Sequence, residues 1–187
     1  RQMCIRDRIY VGTGSAAPRG NVSPGIGVYK TTNGGKTWQH VGLPKAGQIG
    51  KIIIHPQNPD VVYVAALGNI FGPNPERGVF RSLDGGRTWK KTLFVSDSTG
   101  VVDMVMHPNN PRILFAAAWR AERKPWTLVD GGIEGGIYRS DDAGETWKKL
   151  EEDLPSGILG KIGLAISPAD PDRMWALINS PDPEKAG

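Results

Sequence analysis

Apolar and polar positions along the chain fall into short blocks instead of long helical stripes. Three blocks are near-copies of one another: "KIIIHPQNPDVVYVAA" (51–66), "DMVMHPNNPRILFAAA" (103–118) and "GLAISPADPDRMWALI" (163–178). Each is an apolar run, a polar turn holding two prolines three residues apart, and a second apolar run. Short β-branched and aromatic runs bounded by Pro, Asn and Asp predict antiparallel strand pairs. A third strand is predicted at "GVYKT" from Gly27, "GVFRS" from Gly78 and "GIYRS" from Gly136, and a fourth at "TWQHV", "TWKKTL" and "TWKKL".

Between the third and fourth strands stands one eight-letter turn in three versions: "TTNGGKTW" (31–38), "SLDGGRTW" (82–89) and "SDDAGETW" (140–147). The Trp residues Trp38, Trp89 and Trp147 are 51 and 58 residues apart, in step with the strand pairs. A unit of four strands, A to D, recurring at this period has the length and strand count of a β-propeller blade. The predicted fold class is therefore all-β, a partial β-propeller of four-stranded antiparallel blades. Residues 9–46 hold strands B to D of one blade, 47–97 a complete blade, and 98–155 a complete blade with a long B–C insertion. Residues 156–187 hold strands A and B of another. Rings close with about four to eight blades, so the stretch reads as part of a larger ring with unpaired edges at its terminal blades.

The eight letters suit a hairpin turn. Asn33, Asp84 and Asp142 can bond backbone N–H groups within the turn, and Gly35, Gly86 and Gly144 supply the positive φ of the reversal. Thr31, Ser82 and Ser140 open the motif, and Thr37, Thr88 and Thr146 can tie it further. Trp38, Trp89 and Trp147 carry large apolar areas to pack between blades. No nucleophile with a neighbouring base stands in the motif, and the alternating carboxylates of a calcium loop are missing. These residues resemble the Asp-box, or bacterial neuraminidase repeat. That resemblance implies a structural role at the blade periphery.

Composition adds little to this picture beyond Gly (25) and Pro (15) in a chain of 187 residues, which suit many turns. The net charge of +4 is half supplied by the opening "RQMCIRDR", residues 1–8, which match no later pattern and read as a non-native, adapter-like tail. That octet also contains the only cysteine, Cys4. No Lys/Arg run of nucleic-acid type follows, and no apolar stretch reaches the roughly 20 residues of a membrane helix. His55 and His107 sit in equivalent turns and read as turn residues, so no metal and no cofactor is expected.

Antiparallel order puts the A–B and C–D turns on one face and the B–C and D–A connections on the other. The B–C connections vary in length, as loops on a binding face do. They contribute Asn69, Phe71, Asn74 and Arg77 from the second, and Trp119, Arg120, Arg123, Lys124 and Trp126 from the third. Aromatic surface beside cations could stack on a sugar ring and bond hydroxyls or a carboxylate. Asp103 is expected at the start of a strand A, looking toward the central opening, and is the candidate general acid. Asp97 and Asp130 lie on nearby loops, and glycoside hydrolysis would need a carboxylate pair.

Beyond the turns, "GNIFGPNPERGVFRSLDGGRTWKKTLF" and "HPNNPRILFAAAWRAERKPWT" resemble the large bacterial proteins of the sortilin-type propeller family, over residues 9–187. These are often labelled glycosyl hydrolases for their repeats. The resemblance implies an exported protein, periplasmic, cell-surface or secreted, whose propeller binds peptide or carbohydrate as a scaffold module. The alternative is a sialidase- or xyloglucanase-like hydrolase with carboxylates partly outside this stretch. A sialidase site would need three converging arginines, and Arg77, Arg120 and Arg123 are the available ones.

Overall fold

The computed structural model describes residues 7–18 and 22–180. Cys4 and most of the opening octet lie outside them. Of that octet, Arg8 pairs with Asp60 at 3.3 Å, and the Asp7 carbonyl accepts from Gly34 N.

The described chain is all β, in four antiparallel groups. The first sheet is β1 (Ile9–Gly12), β2 (Val28–Thr31) and β3 (Gln39–His40), in that order. The second is β4 (Gln48–Ile54), β5 (Val62–Gly68), β6 (Gly78–Ser82) and β7 (Lys90–Leu93), again in sequence order. The third holds β8 (Thr99–Met106), β9 (Leu114–Arg123), β11 (Gly136–Ser140) and β12 (Lys148–Lys149). In that sheet β10 (Leu128–Asp130) pairs with the far end of β9. The fourth group is the pair β13 (Ile162–Ser167) and β14 (Asp170–Ile178). Fourth strands begin one residue after each motif Trp, because Trp38, Trp89 and Trp147 belong to the turn.

The A–B turns are built by their own letters. In "HPQNP" the His55 Nδ1 accepts from Gln57 N and Asn58 N, and Asn58 Oδ1 accepts from Asp60 N. His107 and Asn110 repeat these bonds in the next sheet. An Nδ1 that accepts two N–H groups puts the ring proton on Nε2, and the prolines fix the turn's φ. The histidines are turn caps.

Each sheet is a blade packed face to face on the next, and the core is the set of layers between blades. One layer joins Val28, Ile49, Val64 and Phe80, the next Tyr63, Val79, Met104 and Leu114, and the third Leu67, Val102, Trp119 and Ile162. All seven residues of β5 are buried, as a strand with a blade on either side requires. The blades approach so closely that a Cβ on Gly100 would meet the Leu67 carbonyl oxygen at 2.2 Å.

The eight-letter turns close as their letters suggest. In the second, Ser82 Oγ donates to Asp84 Oδ1 at 2.8 Å and accepts from Gly86 N at 2.8 Å. Asp84 accepts from Thr88 N and Thr88 Oγ1 at 2.9 and 2.6 Å. The third copy repeats these bonds through Ser140, Asp142 and Thr146. In the first, Asn33 Oδ1 accepts from Thr37 N, while its Nδ2 donates to Thr37 Oγ1. Gly35, Gly86 and Gly144 have φ near +90°, at 90°, 91° and 78°.

The turns also latch blade to blade, which the letters alone did not announce. The Tyr10 hydroxyl and Lys30 ammonium of one blade both donate to the Gly85 carbonyl of the next, at 3.0 and 2.8 Å. One blade on, the Tyr63 hydroxyl and Arg81 guanidinium both donate to the Ala143 carbonyl at 2.8 Å. Trp89 Nε1 donates back to Val41 O at 2.7 Å. Trp89 and Trp147 pack between blades, whereas Trp38 is 46% exposed.

Candidate functional site

Hydrogen bonds sort the loops onto two faces. Each Asp-box turn bonds the A–B turn of its own blade, Gly85 N to Asp60 O and Ala143 N to Arg112 O, both at 2.8 Å. On the opposite face B–C and D–A connections meet, with Asn74 N donating to Asp97 O at 2.8 Å and Gly132 N to Leu159 O at 3.2 Å. The candidate binding residues lie on this second face.

Their placement differs from a mobile loop. Residues 119–123 continue strand β9 and are paired, Leu128 to Arg123 and Asp130 to Ala121, so the third B–C connection is a hairpin standing above the sheet. Its tip is the turn Lys124–Thr127, closed by Lys124 N donating to Thr127 O at 2.8 Å, with Pro125 setting the first corner. Trp126 is thereby projected into solvent, 80% exposed. Just below its tip the hairpin leans on the neighbouring blade, where Arg123 N donates to Ile70 O at 2.6 Å. Next to that contact Phe71 is 54% exposed and Asn69 is exposed, its Oδ1 accepting from Phe71 N. Arg120 and Arg123 flank the hairpin, and Lys124 pairs with Glu122 at 2.9 Å.

Two of the expected ligand contacts are corrected by burial. Arg77 is fully buried and donates to the carbonyls of Leu67, Asn69, Gly72 and Ala121, so it fastens its loop to the next blade. Desolvation pushes its pKa down to about 10, against the opposing pull of Glu122 and Asp97, and it remains a cation at neutral pH. Trp119 is 2% exposed in the inter-blade core. Its Nε1 donates to Asp130 Oδ1 at 2.8 Å, and Asp130 Oδ2 accepts from Asn179 Nδ2 at 3.1 Å. Asn74 likewise ties its own loop, donating to Asn69 O and Gly72 O.

Asp103 also moves. It lies inside β8, which begins at Thr99, and not at a strand start. Its Oδ1 accepts from Met104 N and faces Lys51 Nζ at 3.4 Å, and its Oδ2 accepts from Leu164 N at 3.0 Å. It thus joins the innermost strands of three successive blades, and both oxygens are engaged.

Sequence reading missed Glu134. Its Oε2 accepts from Ser96 Oγ at 2.5 Å and Thr99 Oγ1 at 2.9 Å. These bonds hold its carboxyl below the usual range, helped by nearby Arg120 and Lys149. Glu134, Arg120, Ile133, Gly132 and Ser96–Ser98 enclose a recess of about 260 Å3. A lone acid between glycines gives no pattern to read. The other displaced carboxyls, Asp84, Asp142 and Glu145, also shift downward, through bonds to Thr88, Thr146 and Lys90 respectively. A general acid needs the opposite shift. Among the described residues no group of three or more His, Cys, Asp or Glu side chains could hold a metal ion. No helix among the described residues is long and apolar enough to cross a membrane.

The family model described as "Sortilin, neurotensin receptor 3" matches residues 27–156. The chain belongs to the Sortilin-Vps10 family. Among its relatives, a probable oligoxyloglucan-reducing end-specific xyloglucanase of Neosartorya fischeri is 28% identical over 131 residues, 67% of this chain and 14% of that protein. The vacuolar protein sorting/targeting protein 10 of Sordaria macrospora is 26% identical over 128 residues, 68% of this chain and 8% of that one. The crystal structure of an ancestral GH74 enzyme superposes with TM-score 0.61 at 16% identity, over 91% of this chain and 21% of that one, which shows the shared propeller fold. The Sortilin-Vps10 chain described here therefore spans a small part of the length of these proteins.

Proposed function

We propose that this part of a Sortilin-Vps10 propeller is a binding or scaffold module that captures peptide or carbohydrate on its loop-rich face. The observation that supports it most is the β9–β10 hairpin, which holds Trp126 80% exposed at a proline-set turn beside Arg123 and Lys124. An exposed Trp on a paired ribbon loses little conformational freedom when a ligand stacks on it. The nearby Arg120, Phe71 and Asn69 extend the surface toward the neighbouring blade. The reading includes export to the periplasm, cell surface or medium, supported by family membership alone, and cell fractionation tests it.

The test is isothermal titration of the full-length protein against peptide and oligosaccharide ligands, beside Trp126→Ala. Loss of one stacked ring costs about 1–3 kcal/mol by the measure of base–aromatic stacking, so affinity should fall about fivefold to 150-fold. An unchanged affinity for a ligand that the protein does bind removes the hairpin from the site.

The second reading is a glycoside hydrolase, favoured by relatives named xyloglucanases. Asp103 is its available inner-strand acid, although Leu164 N, Met104 N and Lys51 already engage both of its oxygens. Reducing-end release that vanishes in Asp103→Ala would support it.

A further inference from the structure

The recess beside the hairpin base has a composition of its own. Ser96, Asp97 and Ser98 come from the connection into β8, Arg120 from β9, and Gly132, Ile133 and Glu134 from the connection into β11. The two walls belong to different connections of the loop-rich face, and one side chain joins them: Glu134 reaches across to Ser96 Oγ and Thr99 Oγ1. Thr99 is fully buried, so the carboxylate is anchored at Oε2 by a rigid partner. Oε1 accepts no hydrogen bond from the described residues. Arg120 lies over Gly132, where a Cβ would stand 2.8 Å from its Cδ, and its guanidinium likewise makes no hydrogen bond within the described residues. Ile133 is 73% exposed at the rim.

A fixed acceptor, a free fork of donors, serine hydroxyls and an apolar wall in one small recess narrow the ligand. Glu134 and Asp97 oppose an anion, and Arg120 opposes a cation, so an ion of either sign meets repulsion on one wall. A neutral polyol meets none. Its hydroxyls would donate to Glu134 and accept from Arg120, with its C–H face against Ile133. A volume of about 260 Å3 is below the roughly 300–1,000 Å3 of a drug-sized cleft, which suits a single ring.

We propose that the recess of Ser96–Ser98, Arg120 and Gly132–Glu134 is a subsite for one ring of a neutral carbohydrate. This rests on the reading of the loop-rich face as a binding surface and assigns to it a ligand class and a second anchor besides Trp126.

The probe is a neutral xyloglucan oligosaccharide, titrated calorimetrically into the full-length protein, with a basic peptide as the contrasting ligand. Glu134→Gln keeps an oxygen for Ser96 and Thr99 while removing the charge, and Arg120→Met keeps the stem over Gly132. A charged group's hydrogen bond is worth enough that each should lower oligosaccharide affinity about tenfold to a hundredfold. Circular dichroism should stay as in the unmodified protein, and the unfolding midpoint should fall only slightly in Glu134→Gln, which keeps the Ser96 and Thr99 bonds without their charge. Oligosaccharide binding unchanged in both variants but lost in Trp126→Ala overturns the subsite and leaves the face reading standing. Binding of the peptide and not the sugar also overturns the subsite. Binding of neither overturns both.

Discussion

Arg77 offers the sharpest test of which residues on the loop-rich face hold it together. Its guanidinium donates to Leu67 O at 2.9 Å and Ala121 O at 3.2 Å in the buried core, and to Asn69 O and Gly72 O at 2.9 and 3.3 Å nearer the surface. Arg77→Met preserves the stem and removes all four bonds. Water can replace the outer two. The two buried carbonyls are left unpaired, at about 1–3 kcal/mol each, giving about 2–6 kcal/mol. Burying the cation was itself costly, as its pKa of about 10 records, and removing it returns part of that cost. The expected net loss is about 2–4 kcal/mol, a large share of the 5–15 kcal/mol typical of a domain. Urea unfolding followed by Trp fluorescence should show the midpoint fall by about 1–2 M at an m of about 2 kcal/mol/M. A loss below about 0.5 kcal/mol, with ligand affinity reduced instead, would refute the clamp and return Arg77 to the ligand-facing set.

Further outcomes concern the blade latches and turns. Tyr63→Phe removes a hydroxyl bond to Ala143 O that Arg81 still supports; the loss in urea unfolding should be about 1 kcal/mol, and no loss would deny the latch a role. Ala143 sits at φ 61° where the other two turns have Gly34 and Gly85. Ala143→Gly relieves a strain of roughly 1–2 kcal/mol against about 0.4–1 kcal/mol of added unfolded-state freedom, so the midpoint should rise slightly, and a clear fall would contradict this. Asp84 and Asp142 are held well below the usual carboxylate range, chiefly by Thr88 and Thr146. Groups depressed in the folded state stabilise above the unfolded value of about 3.9 and lose that contribution as pH falls below it. The double variant Asp84→Asn, Asp142→Asn should therefore show a shallower fall of the thermal midpoint below about pH 4; equal slopes would refute the linkage.

The repeat was legible because each of its devices needs particular letters. A Ser or Thr, an Asp or Asn, a Gly and a Thr at fixed spacing form one hydrogen-bonded turn, and "HPxNP" forms the other. The two faces followed from strand order. Arg77, in contrast, satisfies four carbonyls, which every residue carries and no letter marks. Asp103 is engaged by Leu164, 61 residues away, and Glu134 by a serine and a threonine of a different connection. The segment "WRAERKPWTLVD" reads as part of a long B–C connection, yet it forms a hairpin with Pro125 at its corner, and Trp119 and Ala121 turn inward while Arg120 stays outside. Contacts made across blades were hidden for the same reason: their partners are defined by the ring and not by neighbouring letters.

The most direct measurement is reducing-end release from xyloglucan by the full-length protein and its Asp103→Ala variant, with the polysaccharide retained on the protein measured in the same samples. A binding module retains the polymer and releases no new ends, and Asp103→Ala leaves retention intact. Release by the unmodified protein that disappears in Asp103→Ala would contradict the binding reading and make Asp103 part of a hydrolytic site.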